Sequence, residues 1–114
     1  MTVGELAEKY ELTVLSDGGL EREVEGGYVG DLLSFVMAHA KEGMIWLTIQ
    51  GHINTIAVAS LVGVSALVLT EKSMPTEDML EKARENDIPV LSTHLSSFQL
   101  AYQLGQDGVL EGGV

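Results

Sequence analysis

Two short polar turns carry most of the side chains in this chain that could do chemistry. The first is Gln50-Gly51-His52, followed by Asn54 and Thr55; the second is Ser92-Thr93-His94-Leu95-Ser96-Ser97. A glycine turn, an imidazole and the unpaired amides of a helix start are the equipment of an anion or nucleotide contact. Hydroxyls beside an imidazole suit hydrogen bonding to phosphate or ribose. Thr70 and Lys72, at the end of an intervening apolar run, add a hydroxyl and a cation. Capping is the structural alternative for the same residues. Asn54 reads as an ordinary helix N-cap, and Ser96 with Gln99 reads as a capping box. On sequence alone both readings stay open.

Metal and catalytic chemistry find less support. His39, His52 and His94 are the only histidines, so a three-histidine zinc site requires all three to converge. His39 is expected near a helix end, on the opposite sheet edge from the other two, where the helix dipole accounts for it. No metal site is expected. There is no glycine-rich phosphate loop closing on Gly-Lys-Ser/Thr, and no Gly-x-Ser-x-Gly nucleophile elbow. Seventeen acidic residues make some carboxylate pair inevitable by chance, and a solvated acidic surface accounts for them. No catalytic residue is assigned, and the chain is read as a non-enzyme.

The turns need elements to hold them. Met44 to Thr70 contains no Asp, Glu, Lys or Arg, although 20% of the chain is charged. A membrane span needs about 20 predominantly apolar residues in a row, and Gln50-Gly51-His52 with Asn54 interrupts this stretch after six. What remains reads as buried strand Met44–Ile49, helix Thr55–Val62 and buried strand Ser65–Leu69, the strands parallel and covered on both faces. The helix is rich in small residues, which suits either tight packing on its own sheet or a subunit interface. Around this unit the pattern predicts helix Val3–Tyr10 with a Thr2/Glu5 capping box, and strand Leu12–Leu15. Leu20–Val24 is ambiguous between edge strand and loop. Gly26 to Gly30 leads to Asp31 as the N-cap of a helix through Ala40. A helix capped by Thr76 runs to about Asn86, Val90-Leu91 begins a strand, and a helix covers Ser97–Leu104. Gln106–Val114 reads as a frayed acidic and glycine-rich tail. Alternating helices and strands at this spacing imply one three-layer α/β domain, a mostly parallel sheet with helices on both faces. In such folds the turns after the strands are where ligands bind.

Composition bounds the partners. The 114 residues make one domain with 46% apolar content and no cysteine, which excludes a disulfide framework and a thiolate metal site. The formal net charge is −11, and the six basic residues are scattered. A phosphate backbone is bound mainly by Lys and Arg, so neither nucleic acid nor an anionic membrane surface is an expected partner. Thr2–Tyr10 is too charged for a signal peptide's apolar region, and a cytoplasmic location is the default.

Several patches, in order and spacing, resemble the DRTGG domain family: Gly27-Tyr28-Val29-Gly30-Asp31-Leu32-Leu33-Ser34, Ala38-His39-Ala40-Lys41-Glu42-Gly43, Trp46-Leu47-Thr48-Ile49-Gln50 and Pro89-Val90-Leu91-Ser92-Thr93. The resemblance covers Gly26 to Gly105. It implies a Rossmann-like domain similar to the amino-terminal domain of HPr kinase/phosphorylase. It also implies a regulatory, usually dimeric module that is often found beside nucleotide-binding CBS domains. Two stretches depart from the family. Where members tend to carry Gly-Asp-Arg after the central strand, this chain has Gly51-His52-Ile53. Where they tend to carry Thr-Gly-Gly after the next strand, it has Thr70-Glu71-Lys72.

The expectation is therefore a non-catalytic, ligand-sensing homodimer. Its ligand, an adenine nucleotide or other phosphate-containing anion, would sit at Gln50, Gly51, His52, Asn54, Thr55, Thr70, Lys72, Ser92, Thr93, His94, Ser96 and Ser97. One alternative is an interaction subunit for a separately encoded enzyme or a CBS-domain protein; another is a serine-kinase-related protein.

Overall fold

Side chains at alternate positions along three central strands divide into two separate cores, and this division sets the architecture. In a computed structural model that describes residues 1–108, the chain runs α1 (Val3–Lys9), β1 (Thr13–Ser16), β2 (Gly26–Val29), α2 (Leu33–His39), β3 (Met44–Thr48), α3 (Ile53–Val62), β4 (Ala66–Leu69), α4 (Glu77–Glu85), β5 (Val90–Ser92) and α5 (Ser97–Gln106). Ile45, Leu47, Ala66, Val68 and Leu91 pack with Leu6 of α1 and with Leu100 and Leu104 of α5. Trp46, Leu67, Leu69 and Val90 pack with Val36, Ile56, Ala59, Met79 and Ala83, from α2, α3 and α4. The two-residue period of an extended chain thus feeds both faces of one sheet, and β3 and β4 are buried along their whole length.

The sheet has five strands in the order β1-β5-β4-β3-β2. Strands β2 to β5 are parallel to their neighbours, with Trp46 opposite Tyr28 on one side and Leu67 on the other. β1 pairs antiparallel with β5 and shifts register between Val14 and Ser16. The sheet is three-layered and mostly parallel, as expected. Among the described residues no helix is long and apolar enough to cross a membrane.

Local signals explain most boundaries. Thr2 and Glu5 form a reciprocal capping box at α1, and Ser96 and Gln99 form another at α5. Thr76 accepts the Met79 amide to start α4. Gly63, at φ 83°, ends α3 in the left-handed conformation that a Cβ penalises.

Three expectations are corrected. Gly26–Val29 is a strand, not a lead-in loop: its glycines mimic a turn, yet they pair with Met44 and Ile45. Asp31 does not cap α2. Leu32 occupies that position without a side-chain hydrogen bond, and the Asp31 carboxylate turns to β3 instead. α3 begins two residues early, at Ile53, with His52 as its N-cap residue, so Asn54 lies inside the helix. Of the expected tail, Gln106 ends α5 and residues 107–108 form a turn, while 109–114 lie outside the described residues.

A row of tied loops at the carboxyl ends of the strands

Because β2 to β5 are parallel, the four loops that follow them emerge along one edge of the sheet. Hydrogen bonds run from each loop to the next. In the β2–α2 loop, an Asp31 carboxylate oxygen accepts from the Thr48 hydroxyl (2.9 Å) and the Ile49 amide (3.0 Å), while the Gln50 side-chain amide donates to the Asp31 carbonyl (2.9 Å). The β3–α3 loop is tied onward by the Thr76 amide, which donates to the Gly51 carbonyl at 2.9 Å. A Cβ on Gly51 would stand 2.5 Å from the Met74 carbonyl oxygen and 3.1 Å from the Pro75 Cα. Only glycine admits this approach of two backbones. The β4–α4 loop reaches the β5–α5 loop through Glu71 N–H to Leu95 C=O (2.8 Å) and Lys72 N–H to Thr93 C=O (3.1 Å). Thr70, fully buried, shares a 2.7 Å hydroxyl contact with Ser97.

The twelve candidate residues therefore share one edge, but they are not equivalent. Gly51 serves the loop crossing. Thr55 is buried and donates to the Gln50 carbonyl at 3.0 Å. Thr70 and Ser97 satisfy each other, Ser96 caps α5, and Ser92 ends β5 opposite Thr13 and Leu69. Thr93 accepts the Leu95 amide at 3.2 Å. Asn54 is exposed on the first turn of α3. His52, Lys72 and His94 remain: all three are exposed, and none makes a side-chain hydrogen bond or ion pair among the described residues. His39, at the far end of α2, bonds the Phe35 carbonyl at 3.0 Å. No group of three or more histidine and carboxylate side chains able to hold a metal occurs among the described residues.

Asp31 went unrecognised as the anchor of this row. Its position two residues after β2 is the signal, and that signal is visible only once Gly26–Val29 is known to be a strand.

The layers and this edge define a Rossmann-like α/β domain with its loops on the carboxyl side of a parallel sheet. The DRTGG domain model matches residues 5–106. The chain belongs to the DRTGG domain family. No curated protein matches it. Among solved structures it is similar to the CBS and DRTGG domains of the regulatory region of Clostridium perfringens pyrophosphatase, crystallised with the activator diadenosine tetraphosphate. That likeness has a TM-score of 0.71 at 17% identity over 97% of this chain. This chain spans 50% of the length of that neighbour.

The loop after β4 has an unusual backbone. Glu71 and Lys72, just after β4, have φ of 59° and 60°. This is left-handed backbone, which glycine adopts freely and other residues at a cost.

Proposed function

We propose that this chain is a non-catalytic regulatory module that binds a small phosphate-bearing anion, an adenine nucleotide first of all, along the loop row. The observation that carries the reading is the trio His52, Lys72 and His94, exposed and unengaged among the described residues, on an edge where Thr48, Gln50, Thr55, Thr70, Thr93, Ser96 and Ser97 are held by structural hydrogen bonds. The start of α3 adds to it. No side chain caps that helix, so its first amides and positive dipole end face the same edge. A row of cross-tied loops also gives a ligand the means to affect the whole edge at once, which is what regulation requires. The neighbour's activator, diadenosine tetraphosphate, is the chemical precedent.

Titration calorimetry of the chain with AMP, ATP and diadenosine tetraphosphate tests this. His52→Ala and Thr93→Val should each weaken binding about tenfold or more, since a hydrogen bond to a charged group is worth roughly 1.5–3 kcal/mol. Silence from the wild-type chain toward all three, or unchanged affinity in both variants, removes the reading.

A second reading has its own observation. α2 buries only Val36 fully, and its N-cap Leu32 (61%) with Phe35 (57%), three residues on, is exposed at the sheet edge formed by β2, where Val29 is exposed as well. Single exposed apolar residues are ordinary, but contiguous groups mark contacts. This face carries our proposal of a homodimer, or of docking to a separately encoded enzyme or CBS-domain protein. Light scattering that returns only the 12.2 kDa monomer at high micromolar concentration overturns the homodimer.

A further inference from the structure

At the β5 end of the loop row, on the side of the sheet covered by α1 and α5, lies a cavity of about 290 Å³. Its walls are Lys9, Tyr10 and Glu11 at the end of α1, Thr93 and His94 after β5, and Gln103 on α5. The side chains around it are mostly donors. Thr93 is only 8% exposed. Its hydroxyl oxygen accepts the Leu95 amide, which leaves the hydroxyl hydrogen to be given. The His94 imidazole and the Gln103 amide have no hydrogen-bond partner among the described residues. Lys9 supplies a positive charge, one of six in the chain. The Tyr10 hydroxyl is already committed to Asp107, and its ring forms a wall 5.8 Å from the Lys9 ammonium. Among the described residues Glu11 is the single carboxylate in the lining, with Asp107 beside it on Tyr10 and Lys9. In a chain of net charge −11, a concave site that gathers three uncommitted donors and a loosely paired lysine runs against the general field.

We propose that this cavity is an oxyanion pocket: it takes the phosphate or carboxylate group of a small molecule, with Lys9 as counter-charge and Thr93, His94 and Gln103 as donors. The inference rests on the reading that the module binds a small anion. It places the phosphate or carboxylate on the α1–α5 side, leaves His52 and the start of α3 to contact the remainder of the molecule, and adds Lys9 and Gln103, which the loop row does not contain. The volume sits at the small end of ligand sites, which run from roughly 300 to 1,000 Å³. It suits a phosphate with the adjoining part of its molecule, not a whole dinucleotide. Lys9 gives up little on engaging a ligand. Its present partner, Asp107, is 3.7 Å away with both side chains partly exposed, and such surface pairs contribute little.

The test is titration of the full chain with AMP and with inorganic phosphate, followed by calorimetry and by amide shifts in a ¹⁵N-labelled sample. Wild type is compared with Lys9→Gln, Gln103→Leu, Lys9→Arg and His52→Ala. Inorganic phosphate should shift the amides of Lys9–Glu11, Thr93–Leu95 and Gln103. Lys9→Gln and Gln103→Leu should each weaken AMP about tenfold, and Lys9→Arg should retain binding. Both replaced residues are exposed, so the melting temperature should hold. If AMP binds and His52→Ala weakens it while Lys9→Gln and Gln103→Leu bind as wild type, the pocket is overturned and the loop-row reading stands. If neither AMP nor phosphate binds the wild-type chain, both fall.

Discussion

The hydroxyl oxygens of Thr70 and Ser97 lie 2.7 Å apart and join the end of the central strand β4 to the first turn of α5. Thr70 is completely buried, so the bond is made out of water's reach on one side. Thr70→Val and Ser97→Ala should each destabilise the fold by about 1 kcal/mol. The double variant should lose less than the sum, because both single changes remove the same contact. Urea unfolding of the four proteins measures the cycle, and strict additivity would show that the two hydroxyls do not interact in solution.

Gly51→Ala should cost more. The added methyl would meet backbone atoms of Met74 and Pro75, and backbone cannot swing aside as a flexible side chain can. Moving the loop also stretches the bond from the Thr76 amide to the Gly51 carbonyl. A loss of about 2 kcal/mol or more is expected by analogy with overpacked interiors, read as a lowered denaturant midpoint.

Glu71→Gly and Lys72→Gly should act in the opposite direction. Left-handed backbone costs a non-glycine residue about 1–2 kcal/mol, against about 0.5–1 kcal/mol of extra chain entropy that glycine loses on folding. Each change should therefore stabilise the protein by roughly half a kcal/mol, visible as a small rise in melting temperature. Glu71→Ala, which keeps a Cβ, should not reproduce the gain.

Tyr10 gives the fold a sensitivity to alkali. Burial, then the hydrogen bond to Asp107, then the negative charge of that carboxylate, push its hydroxyl from 10.0 up to about 12. A folded-state value raised above the unfolded one contributes stability that is complete below pH 10 and is lost as pH climbs toward 12. Tyr10→Phe should flatten the stability profile over that window. Glu5 works at the other end. The Thr2 amide and hydroxyl at the capping box hold its carboxyl below 4.5, so its contribution is present above that pH and fades as acid protonates it.

Much of the architecture is written in local chemistry that a reader of the sequence can use. The uncharged run from Met44 to Thr70 shows two buried strands because burial on both faces excludes charge, and Thr2, Thr76 and Ser96 announce helices because capping is local. β2 is hidden for the converse reason. Gly26 and Gly27 have no side chain to betray a period, and their strand exists only because β3 offers it a partner. The candidate edge was legible as a set of turns, since chain direction alone places them. The side chains' division of labour was not: Thr70 bonds Ser97 and Asp31 bonds Thr48 across 27 and 17 residues of sequence. Lys9 and Gln103 were invisible for the same reason, as α1 and α5 lie at opposite ends of the sequence and come together only in the fold.

The cross-tied loops have a consequence for how this molecule breathes. Amide hydrogens of Ile49, Glu71, Lys72 and Thr76 are each held by the neighbouring loop, so none can exchange with solvent without loosening two connections at once. The edge should open as a single cooperative unit, with deuterium entering these four amides at matched rates. An occupant touching any one loop would then slow all four together, and so report its presence as far away as Asp31.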